Sequence, residues 1–231
     1  MSLTPYYDDG NGIVIYHGDC REILPELGKF DLLLTDPPYG IDAEKFRASL
    51  PNTMGDNRVE AIAGDSDVEA ARWLITQISD AQNAVVWGAN NFPELLPHKG
   101  RWLCWDKRIT EAADRMLGSA FELAWTNKRS GFHKMYRVLH GGVVNADGGK
   151  RFHPTQKPIL LFRKVIEDNP NVQTILDPFA GSCTTAVAAK LEGRKATCIE
   201  TNERYCEIGA KRLCQSVFKF SDECELAEAA K

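Results

Sequence analysis

A strand–turn–helix–strand pattern in the last third of the chain constrains the fold more than any other feature. A strand-like run, Val172–Leu176, meets a turn of small residues, Asp177–Ser182, and then a helix-like stretch, Thr184–Glu192. The next run, Lys195–Ile199, again has the composition of a strand and ends at Glu200. Two strands joined through a crossover helix form a βαβ unit and lie parallel in one sheet. The sequence therefore predicts an α/β fold.

The rest of the chain repeats this alternation of strands and helices. Seven runs have strand composition: Gly12–His17, Phe30–Thr35, Ala84–Trp87, Arg101–Trp105, Phe121–Trp125, Val172–Leu176 and Lys195–Ile199. Five runs have helical character: Arg21–Leu27, Asp67–Ala81, Thr155–Asn169, Thr184–Glu192 and Asn202–Gln215. We therefore expect residues 1–231 to form a single domain built on a parallel-rich α/β sheet.

Composition excludes several classes of protein. The chain has 231 residues, of which 43% are hydrophobic, and this is enough for a substantial core. Its apolar runs are strand-sized, so no membrane span is expected, and Met1–Asp9 lacks the apolar core of a secretory signal. The seven cysteines include no Cys-x-x-Cys pair, which argues against a metal site or a disulfide framework. These features predict a cytoplasmic protein with reduced thiols.

The charge is distributed unevenly along the chain. The net charge is −4, yet residues 98–157 contain twelve Lys and Arg against five Asp and Glu, a local balance of +7. Such asymmetry predicts a basic face on an acidic body, where a phosphate backbone could bind. A solvated face that meets no polyanion is the alternative, and composition alone does not decide between the two.

The turn Asp177–Ser182 has the features of a cofactor-binding turn. Its glycine, Gly181, lets backbone N–H groups and the following helix N-terminus approach a ligand. Glu200 comes 19 residues later, at the tip of the next strand, where a carboxylate can accept hydrogen bonds from ribose hydroxyls. Asp177 would repel a pyrophosphate and suit a positive centre, which favours S-adenosylmethionine over NAD or FAD. The alternative is a tight structural turn followed by a strand-end carboxylate.

The tetrapeptide Asp36-Pro37-Pro38-Tyr39 follows the strand Phe30–Thr35 and carries groups suited to an amine substrate. The amino group of a nucleobase is a poor nucleophile because its lone pair is delocalised into the ring. The Asp36 carboxylate and a backbone carbonyl beside the prolines can accept hydrogen bonds from such a group. The prolines stiffen the loop, and Tyr39 can stack on the base. A Pro-rich turn without chemistry is the alternative.

Three motifs, in this order, resemble those of one enzyme family. Asp36-Pro37-Pro38-Tyr39, His153-Pro154-Thr155-Gln156-Lys157-Pro158 and Asp177-Pro178-Phe179-Ala180-Gly181-Ser182 are similar to the motifs of the β-group of DNA amino-methyltransferases. The resemblance spans about residues 12–212. It implies the Rossmann-like fold of S-adenosylmethionine-dependent methyltransferases, an α/β fold with a mostly parallel seven-stranded sheet and helices on both faces. It also implies a circularly permuted motif order, because the catalytic motif precedes the cofactor turn. It also implies methyl transfer to the exocyclic nitrogen of adenine or, less often, cytosine.

The resemblance assigns site residues by position. Asp36, Pro37, Pro38 and Tyr39 match the catalytic motif. The residues implied for the cofactor are Asp19, Asp36, His153, Thr155, Lys157, Asp177, Pro178, Phe179, Ala180, Gly181, Ser182, Glu200 and Thr201. Asp19 matches the acid that contacts the cofactor adenine, and Lys157 could neutralise a carboxylate near the methionine moiety. Cys183 stands where the family usually has a second glycine, so we expect its thiol to crowd the cofactor or to change the turn.

The resemblance implies double-stranded DNA as the partner. Six basic residues are expected to contact phosphates: Lys107, Arg108, Lys128, Arg129, Lys134 and Arg137. Target recognition is expected within loops 40–66 and 106–152, and residues 221–231 form a tail. Asn90 and Asn91 end a strand near Asp36, and whether they line the target pocket is left open. Such small recognition loops predict a short or relaxed target sequence.

The predicted activity is site-specific methyl transfer from S-adenosylmethionine to the N6 amino group of adenine in DNA, the chemistry of restriction-modification systems. Asp rather than Ser before the two prolines favours adenine. Cytosine N4 remains the first alternative, and an RNA or protein methyltransferase or a non-catalytic nucleic-acid-binding module the others. We expect no bound metal and no membrane association. The oligomeric state is left open, with a homodimer as one alternative.

Overall fold

The computed structural model describes residues 3–38, 68–78, 83–108, 119–128, 131, 133–141, 144–145 and 156–214. Eleven strands lie in these segments: β1 (Tyr7–Asp8), β2 (Ile13–His17), β3 (Leu32–Thr35), β4 (Asn83–Trp87), β5 (Arg101–Asp106), β6 (Phe121–Thr126), β7 (Lys134–Arg137), β8 (His140–Gly141), β9 (Val144–Asn145), β10 (Thr174–Asp177) and β11 (Lys195–Glu200).

Five α-helices lie in the same segments: α1 (Cys20–Ile23), α2 (Glu69–Gln77), α3 (Ile159–Glu167), α4 (Thr184–Leu191) and α5 (Glu203–Cys214). Short 3₁₀ turns follow α1 at Leu24–Glu26 and β4 at Ala89–Asn91 and Pro93–Leu95. Each of the five predicted helices is found, with ends that differ from the prediction by a few residues. The predicted tail, residues 221–231, lies outside the described residues.

Nine of the strands form one sheet in the order β1-β2-β11-β10-β3-β4-β6-β5-β7, and β8 pairs only with β9 in the described part of the chain. From β2 to β4 all neighbours are parallel, whereas β6 is antiparallel to both β4 and β5. The seven predicted strands form its contiguous centre. The observed sheet is thus longer than the expected seven strands by the edge strands β1 and β7. The sequence did not indicate them, because β1 has only two residues and β7 is mostly exposed.

Helices cover both faces of the sheet, as expected for an α/β fold. On one face, α3, α4 and α5 contribute Leu161, Val165, Ala188 and Leu213 to a core that also contains Trp87. On the other face, α1 and α2 bury Ile23, Ala71 and Leu74 against the opposite side chains of the same strands. The central strand β3 is buried on both faces, since its apolar residues alternate between the two cores.

The sheet brings the catalytic motif and the cofactor turn together. β3 and β10 are 142 residues apart at Thr35 and Asp177, yet they are parallel neighbours, with Leu32 opposite Ile175 and Leu33 opposite Leu176. Asp36 and the turn after Asp177 therefore leave the sheet side by side at its carboxyl edge. The permuted motif order changes the connections between the strands and keeps this neighbourhood.

Candidate active site

Four carboxylates lie along the carboxyl edge of the parallel strands. In sheet order they are Asp19 after β2, Glu200 at the end of β11, Asp177 at the end of β10 and Asp36 after β3. Open α/β sheets bind their ligands at this edge. An edge rich in carboxylates suits a cationic ligand more than an anionic one.

Asp177 is held by donors from three elements. One carboxylate oxygen accepts a hydrogen bond from Thr35 Oγ1 at 2.7 Å and from the Phe179 N–H at 3.2 Å. The other accepts from Thr185 Oγ1, in the first turn of α4. Burial raises the pKa of Asp177 to about 6, although these hydrogen bonds favour the charged form. The carboxylate thus links β3, β10 and α4 through hydrogen bonds. Its ionised form is unfavourable because it is buried.

The glycine turn is fastened to the neighbouring strand β11. The Gly181 N–H donates to Glu200 Oε2 at 2.7 Å, and the Ala180 N–H donates to the Ile199 carbonyl at 3.0 Å. Gly181 has a φ of 50°, in the left-handed region that glycine adopts most easily. Burial raises the pKa of Glu200, whose other oxygen accepts from the Asn202 N–H at 2.8 Å. The strand-end carboxylate therefore fixes the turn that would approach a cofactor.

Cys183 keeps the left-handed backbone that a glycine would have. Its φ is 59°, and its side chain is fully buried. A Cβ on Gly209 of α5 would lie 2.5 Å from the Cys183 Sγ, so the thiol packs against that helix. The side chain expected to crowd the cofactor or change the turn occupies the space that Gly209 leaves open. Crowding of the cofactor by the Cys183 thiol stays a prediction.

A buried arginine anchors the end of the cofactor turn. Arg212 of α5 donates from Nη1 to the carbonyl of Ser182, to its hydroxyl at 3.0 Å and to Thr184 Oγ1 at 3.3 Å. The Ser182 hydroxyl in turn donates to Gln156 Oε1 at 3.3 Å. Gln156 belongs to the His-Pro-Thr-Gln-Lys-Pro segment, so this contact joins two of the three motifs. The α5 helix and the segment before α3 thus hold the turn from both sides.

One carboxylate oxygen of Asp36 has a partner, and the other has none among the described residues. Lys157 Nζ lies 2.5 Å from Asp36 Oδ2. Asp36 Oδ1 is buried and has no hydrogen-bond partner among the residues that the structure describes. Burial raises the pKa of Asp36, and the charge of Lys157 opposes this rise. A buried acceptor without a partner is unfavourable unless a ligand donates to it.

The remaining cofactor candidates differ in exposure. Asp19 caps α1 by accepting from the Arg21 N–H, and its ion pair with Arg21 at 2.5 Å lowers its pKa. Pro178 is buried, whereas Phe179 is only partly buried beside the core on the α2 side. Thr201 is exposed, and its carbonyl lies 3.0 Å from His17 Nε2. These contacts place Asp19 and Thr201 next to Glu200, at the β2 side of the edge.

The basic residues predicted to contact DNA lie at two opposite edges. Lys107 and Arg108 follow β5, and Arg137 ends β7, so all three share the edge of Asp36. Lys128 follows β6, which runs in the opposite direction, and Lys134 begins β7, so both lie at the other edge.

The two lysines at the far edge have partners beside the end of α3. Lys128 Nζ donates to Asn169 Oδ1 at 3.2 Å, and Lys134 pairs with Asp168. Cations near a helix C-terminus are electrostatically favourable. The five of these residues that the structure describes therefore do not form a single basic face. Arg129 lies outside the described residues.

The other predicted site residues fall into two groups. Tyr39, His153 and Thr155 lie outside the described residues. Pro37 is buried and Pro38 partly exposed, directly after Asp36. Asn90 and Asn91 are exposed at the carboxyl edge, in the 3₁₀ turn after β4, and Asn91 Nδ2 donates to the Gly88 carbonyl at 2.9 Å. Their contact with a target base stays a prediction.

Four side chains at the site were not singled out from the sequence: Thr35, Glu122, Thr185 and Arg212. The two threonines donate hydrogen bonds to Asp177, and Arg212 donates to Ser182. Glu122 Oε2 lies 3.1 Å from Lys157 Nζ. Thr35 directly precedes Asp36, which is the only sequence signal that could have drawn attention to it. The other three have unremarkable positions within predicted strands and helices.

Two expected absences can be examined in part. No cluster of three or more His, Cys, Asp or Glu side chains suited to a metal ion occurs among the described residues. Among the helices of the described segments, none is long and apolar enough to span a bilayer.

The parallel strands, the glycine turn and the carboxylate edge define the chain as an α/β protein with a nucleotide-cofactor type of site. Residues 125–211 match the sequence model of a family described as DNA methylase. The type II methyltransferase M2.DpnII of Streptococcus pneumoniae is 47% identical, over an alignment that covers 92% of this chain and 93% of that protein. The DNA adenine methyltransferase YhdJ of Escherichia coli (strain K12) is 48% identical over 63 residues, which are 26% of this chain and 21% of that protein. The chain belongs to the DNA methylase family.

Solved structures share the fold at low sequence identity. The M1.HpyAVI–SAM complex has a TM-score of 0.51 and 21% identity, covering 86% of this chain and 98% of that one. The cytosine-N4-specific PvuII DNA methyltransferase has a TM-score of 0.58 and 16% identity, covering 91% of this chain and 88% of that one. The Rossmann-like methyltransferase fold predicted from the sequence is thereby confirmed.

Proposed function

We propose that the protein transfers a methyl group from S-adenosylmethionine to the N6 amino group of adenine in double-stranded DNA. The observation that carries this proposal is the Asp36 carboxylate. Its Oδ1 is buried and has no partner among the described residues, and Asp36 leaves the sheet beside the cofactor turn. An amine that donates to Oδ1 would satisfy this oxygen and would lie next to a bound cofactor.

The residues present fit a cationic cofactor. Asp177 is a buried carboxylate at the end of β10, and Asp36 follows the neighbouring strand β3 with its Oδ1 buried. Both have raised pKa values because burial disfavours their charge. A sulfonium or ammonium group nearby would stabilise the charged forms. Glu200 and Asp19 are the candidates for the ribose hydroxyls and the adenine, and Gly181 allows close approach of the backbone. When bound, S-adenosylmethionine supplies an electrophilic methyl group on a positively charged sulfur.

Asp36 and the Pro37 carbonyl would hold the target amine. The target base must leave the duplex, because its amino nitrogen is otherwise paired. Asp36 Oδ1 and the Pro37 carbonyl then accept the two amino hydrogens, which keeps the nitrogen lone pair free for attack on the methyl carbon. The nitrogen gains positive charge as the bond forms, and the Asp36 carboxylate stabilises this charge. The N–C bond would form as the bond from the methyl carbon to sulfur breaks, with its electron pair remaining on the sulfur of a neutral thioether. One amino proton would then leave the nitrogen for solvent. No covalent link to the protein is required.

DNA contacts are proposed only for the basic residues at the Asp36 edge. Arg137 is 75% exposed and lies 3.8 Å from Asp106, so it remains accessible to a phosphate. Arg108 pairs with Asp106 at 2.8 Å, and Lys107 pairs with Glu122. For Arg129 and for the recognition loops within 40–66 and 106–152, contact with DNA stays a prediction from the sequence. Lys128 and Lys134 are not proposed as contacts, because they lie at the opposite edge.

Adenine is proposed over cytosine because Asp36 precedes the two prolines and because a DNA adenine methyltransferase is among the relatives. Cytosine N4 is the second candidate, since a cytosine-N4-specific enzyme shares the fold. The test incubates the protein with labelled S-adenosylmethionine and unmethylated DNA and then digests the DNA to nucleosides. Label in N6-methyldeoxyadenosine is expected. Label in N4-methyldeoxycytidine would establish the second candidate, and unlabelled DNA would refute methyl transfer to DNA.

Single- and double-stranded forms of the same DNA, tested side by side, address the proposed partner. The double-stranded form is expected to accept label at least as fast as the single-stranded form. Exclusive labelling of single strands would contradict the proposal of a duplex substrate.

A further inference from the structure

A chain of alternating charges leads from Asp36 along the carboxyl edge. Lys157 Nζ lies 2.5 Å from Asp36 Oδ2 and 3.1 Å from Glu122 Oε2. The other oxygen of Glu122 pairs with Lys107, whose ammonium lies 4.8 Å from the centre of the Trp105 ring. Glu122 reaches this edge because β6 is antiparallel to β4 and begins here. Four charges from four segments of the chain thus form one neutral cluster.

Glu122 remains ionised throughout the working range of an enzyme. Burial alone would raise the pKa of Glu122, but the charges of Lys157 and Lys107 outweigh burial and lower the pKa to about 2. A carboxylate that does not take up a proton near neutral pH is a poor general base. Any contribution of Glu122 to the reaction is therefore that of a fixed negative charge.

We propose that Glu122 is a positioning residue that holds the Lys157 ammonium on Asp36 Oδ2, so that Oδ1 stays open for the substrate amine. This inference rests on the proposed function and deepens it. A lysine is a compact charge on a flexible stem, so a single carboxylate does not fix its position. A second carboxylate, that of Glu122 on β6, fixes the position of the Lys157 ammonium.

Without Glu122, the Lys157 ammonium can move toward Asp36 Oδ1 and compete with the substrate. Loss of Glu122 also leaves two cations beside one carboxylate. This excess of positive charge opposes the positive charge that develops on the amine during transfer. Both effects lower the rate of the chemical step more than the affinity for DNA or cofactor.

The test compares Glu122→Gln with wild type in single-turnover methyl transfer as a function of pH. Among the described residues, the charged groups that face Asp36 are Lys157, Glu122 and Lys107 from the cluster, and Asp177 from β10. Glu122 raises the pKa of Asp36, so its neutralisation lowers that pKa and moves the acid limb of the rate profile to lower pH. The plateau rate is expected to fall about 10- to 100-fold, the usual cost of losing support for a catalytic group, with KM nearly unchanged.

In a second variant, Lys107→Met, the acid limb of the rate profile is expected to move in the opposite direction. Lys107 lowers the pKa of Asp36, so its removal moves the acid limb to higher pH. Opposite displacements in two variants of one cluster are not produced by a general loss of structure. This variant also keeps the proposal testable if Glu122→Gln does not fold.

Glu207→Gln is the matched control, because Glu207 makes an exposed ion pair with Lys211 on α5, far from Asp36 in sequence and sheet position. It should behave like wild type. A wild-type plateau rate in Glu122→Gln would overturn the proposal. So would a slower reaction with an unmoved acid limb, or displacement of both variants in the same direction. Absence of methyl transfer by the wild-type protein would instead refute the proposed function itself.

Discussion

Replacing Asp177 with asparagine should stabilise the folded protein and weaken its binding of the cofactor. An asparagine at this position would have the shape of the neutral acid, and the hydroxyls of Thr35 and Thr185 can turn to donate or accept. Burial raises the pKa of Asp177 from 3.8 to about 6. That difference of about two pH units, at about 1.4 kcal/mol each, gives a penalty of about 3 kcal/mol for the ionised form in the folded state.

The gain in stability depends on pH in a defined direction. A carboxyl with a raised pKa binds its proton more tightly when the protein is folded, so stability falls as pH rises through the window from 3.8 to about 6. Below this window Asp177 is neutral, and the asparagine variant should match the wild type. Above it, the variant should be more stable by up to about 3 kcal/mol.

Urea unfolding followed by tryptophan fluorescence at pH 4 and pH 7.5 measures this difference, since the chain has five tryptophans. Asp31→Asn is a control in which the change in stability is expected to have the opposite sign. Hydrogen bonds from Gln173 and Thr174 lower the pKa of Asp31, so that carboxylate stabilises the fold above pH 3.8 and its loss destabilises the protein there. An Asp177→Asn variant that is less stable than wild type at pH 7.5 would refute the reasoning.

The same variant tests whether Asp177, which destabilises the fold when ionised, binds the cofactor. If Asp177 serves a positive centre of the cofactor, the asparagine variant should bind S-adenosylmethionine about ten- to a hundredfold more weakly at pH 7.5, the usual value of a hydrogen bond or ion pair with a charged group. Wild-type affinity should also weaken as pH falls through about 6, because protonation removes the charge. Calorimetric titration measures both effects. Unchanged affinity at pH 7.5 would leave Asp177 with a structural role only.

Two further predictions concern packing and DNA binding. Gly209→Ala should destabilise the protein by about 1–3 kcal/mol, because the new Cβ would lie 2.5 Å from the Cys183 Sγ, and Cys183→Gly should relieve much of this loss in the double variant. Denaturant unfolding of the two single variants and the double variant measures the coupling. Arg137→Ala should weaken DNA binding and reduce the salt dependence by about one counterion, whereas Lys128→Ala should leave both unchanged. Fluorescence anisotropy at several salt concentrations measures both quantities.

Each of these two predictions has a clear contrary outcome. Strictly additive effects of Gly209→Ala and Cys183→Gly would show that the thiol does not occupy the space above Gly209. A loss of DNA affinity in Lys128→Ala equal to that in Arg137→Ala would place DNA contacts at both edges of the sheet.

Hydrophobic runs and turn residues were sufficient to predict the centre of the fold. The strands β2, β3, β4, β10 and β11 are runs of four to six residues that contain several buried apolar side chains, so their composition alone identified them. The edge strands β1 and β7 have no such signal, because β1 has only two residues and β7 buries only Tyr136 of its four.

Strand direction explains what the sequence did not predict at the site. A strand pattern reads the same in both directions, so nothing in residues 121–128 indicates that β6 runs antiparallel to β4. That direction brings Glu122 to the Asp36 edge and carries Lys128 to the opposite one. Arg212 likewise looks like an exposed helical residue until α5 is packed beside the cofactor turn.

The central claim is that the open oxygen of Asp36 accepts the amino group that is methylated. Single-turnover methyl transfer to DNA by Asp36→Ala, measured beside the wild-type protein, tests it most directly. The variant should transfer at least about a hundredfold more slowly, as expected for loss of a group that stabilises transition-state charge, while S-adenosylmethionine binding measured in the same preparation persists. Transfer at a nearly normal rate by Asp36→Ala would contradict the claim.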